Sequence, residues 1–104
     1  MIDELSGDPR RDAEVLRIAQ EALNNALRHA GAEHVRLRLQ TQDGGLVLEV
    51  EDDGSGFDPT AAELRSRRLG LTSMEERARR LRGRLAIDST PGAGTTVRLE
   101  VPAG

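Results

Sequence analysis

The chain has 104 residues, a formal net charge of -3, no cysteine and a single aromatic residue, Phe57. That length supports one domain with a sheet and one covering helix layer, while the missing cysteines exclude a disulfide framework or a thiolate zinc site. All 15 basic residues are Arg, so no Walker A lysine and no lysine-centred phosphate clamp can be built; the acidic balance and lone Phe argue against nucleic-acid binding by charge or stacking. No apolar run approaches the length of a membrane span, and Met1-Ile2-Asp3-Glu4 lacks a secretory signal pattern. A soluble, cytoplasmic, monomeric domain without direct membrane or nucleic-acid contact is expected.

Residues 1–10 are polar and read as a flexible lead-in, with one domain over 11–104. From Arg11 to Ala30, the residues Val15, Leu16, Ala19, Ala22, Leu23, Ala26, Leu27 and Ala30 form an apolar arc at helical period, and Gly31 ends the helix. Val35, Leu37 and Leu39 alternate with polar residues, Asp43-Gly44-Gly45 makes a turn, and Leu46, Leu48 and Val50 alternate again. The pattern predicts a hairpin with one buried face. Gly54 to Gly70 reads as a mobile, Arg-rich loop in which Thr60 and Glu63 could cap a short helix. Thr72 with Glu75 reads as a capping box for a second helix, in which Met74, Ala78 and Leu81 share a face and Gly83 supplies the stop. Leu85 and Ile87, then Thr95, Val97, Leu99 and Val101, predict two more strands around Ser89-Thr90-Pro91-Gly92-Ala93-Gly94. Helices on one face of a mostly antiparallel sheet follow, an α+β two-layer sandwich.

Several side chains in this frame could carry chemistry. Glu21, Asn25 and Arg28 fall at i, i+4 and i+7 on the first helix, with His29 beside them, at the rim of the apolar arc. A solvated helix face is the plainer reading of those residues taken alone. Asp52 shares strand parity with Leu46, Leu48 and Val50, so its carboxylate points to the apolar side at the strand's end, where it needs a partner such as an exocyclic amine. Gly54 and Gly56 let the backbone pass close to a ligand there, although Asp53-Gly54 could equally be a simple turn. Thr95 shares parity with Val97, Leu99 and Val101, which places its hydroxyl where it could support Asp52. Gly70-Leu71-Thr72 precedes the second helix, whose free amides and dipole offer a phosphate seat.

Taken together, the helix motif Glu21 to His29, the loop Asp52-Asp53-Gly54-Ser55-Gly56, Gly70-Leu71 with Met74-Glu75-Glu76-Arg77, and Gly92-Ala93-Gly94-Thr95 resemble the ATP-binding domain of GHKL proteins, which has the Bergerat or histidine kinase ATPase-like fold with a mixed sheet. The similarity runs from about Glu14 to Pro102 and is greatest to bacterial sensor histidine kinases of the nitrate-sensor and DegS type. The resemblance implies ATP and Mg2+ as ligands, with Asn25 holding the metal, Asp52 binding the adenine amine, and Gly54, Gly56, Gly70, Leu71, Thr72 and Thr95 shaping the nucleotide pocket and its lid. It implies that Glu21 polarises the attacking nucleophile or a metal-bound water, that Arg28 meets phosphate oxygens, and that His29 is a neighbour of the site distinct from any phospho-accepting histidine. The implied partners are a dimerising helical domain that carries the phospho-acceptor and, through the whole kinase, a response regulator. Two other readings stand beside it: a small serine kinase resembling anti-sigma factors, and a non-catalytic module whose arginines from Arg77 to Arg84 contact an acidic partner.

Overall fold

The protein is described by a computed structural model over residues 9–29, 31–56 and 71–103. Helix α1 spans Pro9–Asn24 and continues into a π-helical turn, Asn25–His29. Pro9 is the first described residue of the helix, and proline is tolerated in a helix's opening turn, where a missing N–H costs little. The helix therefore takes Pro9 and Arg10 from the expected lead-in, whose remaining residues, 1–8, lie outside the described ones.

The buried stripe of α1 is Val15, Ile18, Ala19 and Ala22, and Ala26 extends it into the π turn, while Leu27 is 63% exposed. The expected arc counted Leu27 and left out Ile18. The helix is thus rolled toward the Ile18 flank, and since Asn25 lies seven residues on, along nearly the same line, the roll carries it inward. Asn25 is half-buried with its Oδ1 shielded from solvent. At the end of the turn Gly31 takes a φ of 60°, and the Ala32 N–H donates to Ala26 O at 3.0 Å. Gly31 is therefore the stop that the sequence indicates.

Strands β1 (Val35–Gln42) and β2 (Gly45–Asp52) form a hairpin around Asp43 and Gly44, whose φ values of 52° and 84° make the two-residue turn that matches strand twist. That turn fixes the register from Gln42 opposite Gly45 to Val35 opposite Asp52. Strands β3 (Arg84–Ser89) and β4 (Thr95–Val101) form a second hairpin, in which Pro91 and Gly92 (φ 83°) sit inside a turn closed by Ala93 N to Thr90 O at 2.9 Å. The sheet order is β1-β2-β4-β3, and every neighbouring pair is antiparallel. The mixed sheet expected from the resemblance is, across the described strands, antiparallel throughout.

Leu46, Leu48 and Val50 of β2 and Val97, Leu99 and Val101 of β4 meet α1 and the buried Met74 and Ala78 of helix α2 (Leu71–Arg80) in one core. The opposite face carries cross-strand ion pairs: Arg98 reaches Glu49 at 2.7 Å and Glu100 at 3.0 Å, and Arg36 lies 3.9 Å from Glu51. Hydrogen bonds from Glu100 and then Glu49 hold the Arg98 guanidinium above its ordinary pKa. One sheet face is packed and the other charged, which is the expected two-layer α+β arrangement.

Helix α2 differs from the sequence reading at both ends. Among the described residues it runs from Leu71, which places Thr72 inside the helix. At the other end Gly83 N donates to Ala78 O at 2.8 Å and Arg82 N to Arg79 O at 3.0 Å, with Arg82 at φ 55°. The left-handed stop is therefore Arg82, not Gly83. Glycine is needed at 83 for space, because a Cβ there would lie 2.7 Å from Glu100 O. The loop expected from Gly54 to Gly70 lies outside the described residues over 57–70, and with it the Thr60–Glu63 cap.

Candidate functional site

The open end of the sheet, where β2 and β3 finish and β1 and β4 start, forms a hollow of about 620 Å³ lined by His34, Asp52, Asp53, Gly94 and Thr95 and bordered by the cross-strand row Arg36, Glu51, Thr96 and Asp88 of the charged face. Asp52 and Thr95 are opposite one another across β2 and β4. The Gly54 N–H donates to Asp52 Oδ1 at 2.8 Å, which orients the carboxyl, while Oδ2 has no hydrogen-bond partner among the described residues. A carboxylate oxygen left without a partner is a ready receptor for an N–H donor.

Thr95 is buried, and its hydroxyl lies 2.7 Å from Ser89 Oγ. Ser89 Oγ donates its only proton to Gly94 O at 3.2 Å. With that proton on Gly94 O, Thr95 donates to Ser89 and keeps a lone pair available as an acceptor. Asp52 and Thr95 thus present two acceptors side by side. The sequence reading placed Ser89 in the turn, yet it ends β3, and counting along the second hairpin places it opposite Thr95.

The glycines of this region serve backbone packing. A Cβ on Gly94 would strike Asp52 O, and one on Gly56 would strike Thr90 O and come within 3.0 Å of Gly94 O. Gly92 N donates to Ser55 O at 2.5 Å. The loop after β2 and the turn before β4 therefore lie backbone to backbone. At Gly56 the close approach expected for a ligand is filled by protein, because the two hairpins meet there.

Asp53 proves to be more than a turn residue. Its Oδ1 accepts the N–H groups of Glu33 and His34, both at 2.9 Å, its Oδ2 lies 2.8 Å from His34 Nδ1, and its own N–H donates to His34 O at 3.2 Å. The backbone and side-chain hydrogen bonds of His34 hold the Asp53 carboxyl below the ordinary aspartate range, against a smaller push from burial. Sequence reasoning missed His34, although the Asp43-Gly44 turn already sets it opposite Asp53.

Glu21, half-buried, and Asn25 stand one turn apart on the first helix, but neither lines the hollow. Arg28 is exposed, and because a π turn winds each residue through a smaller angle than an α-helix, it diverges from Asn25 more than even helical spacing predicts. His29 closes the π turn. Leu71 and Thr72 form the first turn of α2, and Gly70 lies outside the described residues. The fold thus joins Asp52, Gly54, Gly56 and Thr95 at one end of the sheet, with the Asn25 turn attached to that end through the loop 31–34. Helix α2 is tied to α1 by Glu14, which pairs with both Arg77 and Arg80. Those two arginines form an interhelical clamp.

The donor chemistry suits a metal that arrives with its nucleotide. Among the described residues no group of three or more His, Asp or Glu side chains could cage an ion. A single amide oxygen such as that of Asn25 fits Mg2+, which keeps waters and takes phosphate oxygens. A larger hollow of about 1100 Å³ at the other end of the sheet, near Arg82, Arg84 and Pro102, contains none of the candidate residues, so size alone does not locate the site.

Known proteins share this arrangement. A family model described as histidine kinase-, DNA gyrase B- and HSP90-like ATPase matches residues 11–104. The chain is 36% identical over 95 residues to the signal transduction histidine-protein kinase/phosphatase DegS of Bacillus subtilis (strain 168), covering 90% of this chain and 25% of that protein. It is 42% identical over 92 residues to the oxygen sensor histidine kinase NreB of Staphylococcus carnosus (strain TM300), covering 85% of this chain and 25% of that one. The solved ATP-binding domain of PrrB from Mycobacterium tuberculosis superposes with a TM-score of 0.72 at 26% identity, over 89% of this chain and 69% of that one. The chain spans about a quarter of the length of the DegS and NreB relatives. With the fold, the order of the motifs and the family match over residues 11–104 in agreement, the chain belongs to the histidine kinase-, DNA gyrase B- and HSP90-like ATPase family, as a histidine kinase ATPase domain homologous to sensor histidine kinases.

Proposed function

We propose that this domain binds Mg-ATP at the open end of the sheet and presents the γ-phosphoryl group to a histidine on a separate dimerising helical domain, for relay to a response regulator, in a cytoplasmic setting. The observation that carries the reading is Asp52 and Thr95 standing opposite one another at the end of the sheet beside one hollow, with one Asp52 oxygen oriented by the Gly54 N–H and the other without a partner among the described residues. An exocyclic adenine amine carries two N–H donors and matches such a pair. Mg-ATP, when bound, supplies the transferable phosphoryl group and the cation that neutralises its charge.

The remaining roles belong to this chain's own groups. Asn25 supplies the neutral amide oxygen for the metal. Glu21, one turn earlier, would polarise the attacking nucleophile or a metal-bound water. Arg28 would meet phosphate oxygens with His29 as its neighbour, the start of α2 at Leu71 and Thr72 would offer backbone amides to phosphate oxygens, and Gly70, outside the described residues, keeps the pocket role that the resemblance implies. Phosphoryl transfer needs little covalent help from protein beyond such positioning and charge. The sensor-kinase relatives favour this reading over a serine kinase or a non-catalytic module.

Titration calorimetry with Mg-ATP tests the site. Asn25→Asp and Asp52→Asn should each abolish measurable binding while leaving the thermal melt of the chain within a few degrees of the parent; unchanged binding in either variant refutes its role. Adding the separately prepared helical domain and labelled ATP should yield acid-labile phosphohistidine, and its absence with a competent acceptor argues for a binding module.

A further inference from the structure

We propose that Asp53 is a positioning residue for the nucleotide: it clasps the loop after the Asn25 turn to the Asp52 loop, so that the metal-side and base-side groups meet one ligand together. The proposal rests on the Mg-ATP reading of the site. It concerns a residue outside the groups assigned to the ligand, since both Asp53 oxygens are already engaged by Glu33 and His34.

The physical path is short. Asp52, the proposed base-side acceptor, is the neighbour of Asp53 in sequence. The Asp53 carboxylate and N–H make four hydrogen bonds to residues 33 and 34. One residue before these, Ala32 N donates to Ala26 O and closes the π turn that begins with Asn25. Apolar packing does little to hold this connection: a Cβ on Gly31 would touch nothing within 4 Å, Glu33 is exposed, and the His34 side chain is 86% exposed. Where a loop lacks packing, its polar contacts set its position. An ionised carboxylate receiving two successive backbone N–H groups is the strongest such contact available here.

The consequence is a coupling between half-sites. A ligand that spans both gains from their being held in register before it arrives; one that touches only the base side gains nothing. Adenosine and Mg-ATP are therefore the two probes. In the full chain, Asp53→Ala should weaken Mg-ATP binding by about tenfold or more while adenosine affinity, followed by NMR titration, stays within about twofold. Asp53→Asn keeps an oxygen that can accept from Glu33 and His34, so Mg-ATP binding should return to within about threefold of the parent.

Equal losses for both ligands mean that Asp53 merely shapes the Asp52 loop, and they overturn the coupling. So does an unchanged Mg-ATP affinity. If the parent chain binds no Mg-ATP, the nucleotide reading itself falls and takes the proposal with it, a result distinct from failure of the clasp alone. Should Asp53→Ala not fold, amide exchange in the parent decides: Mg-ATP should slow exchange at Glu33 and His34 more than saturating adenosine does, and equal protection by the two ligands overturns the proposal.

Discussion

At Gly94 the backbone has a φ of 83°, and an added methyl group would meet the carbonyl oxygen of Asp52. Both objections act at once, left-handed strain and a clash with main chain that cannot swing aside. Gly94→Ala should therefore destabilise the fold by about 2–4 kcal/mol, read as a lower urea midpoint, and should push the Asp52 acceptor out of place. Arg82 is the reverse case. It holds a φ of 55° with a side chain that prefers other backbone angles. Arg82→Gly should raise stability by about 0.5–1 kcal/mol, seen as a higher melting temperature with no change in nucleotide binding. Asp52 was legible in the sequence because strand parity alone points it inward. Ser89 and His34 were not, since their importance comes from what lies across the hairpin.

Among the elements, the hairpins were the most readable. An Asp-Gly pair between alternating apolar residues permits one tight turn, and that turn fixes every later partner from Val35 opposite Asp52 onward. Helix limits were less readable. The first helix was expected to run evenly to Ala30, but it widens into a π turn at Asn25, and nothing in residue spacing signals that change. Its buried stripe was misjudged by one flank, because Leu27 and Ile18 are equally apolar and only the position of the sheet selects between them. The Glu14 clamp is also a matter between elements. Burial tends to raise the Glu14 carboxyl, but hydrogen bonds from Arg80 and Arg77 and their charges outweigh it, so its pKa lies below the ordinary value. Glu14→Gln should loosen α2 from α1 and cost about 1–2 kcal/mol, between the values for an exposed pair and a buried one; a urea titration at neutral pH measures it.

Across the whole molecule, Glu14 and Asp53 are carboxyls whose folded pKa values are both depressed. On acidification the unfolded chain takes up these protons first, so the stability they contribute is fully present above the ordinary carboxylate range and is lost as pH falls through the lower folded values. Urea midpoints should drop between about pH 5 and pH 3, and Glu14→Gln and Asp53→Asn should each flatten the fall. By itself, the sequence determined the periodicities, and so the two layers, the hairpins and the inward direction of Asp52 and Thr95, because those depend on neighbours within a few residues. It also determined the motif order that marks the family. Only the tertiary structure decided the roll of α1, the pairing of Glu14 with Arg77 and Arg80, the role of Ser89 in turning Thr95 into an acceptor, and the clasp between Asp53 and His34. Each of those depends on groups distant along the chain that meet only once the hairpins and helices have packed, and local spacing carries no record of such meetings.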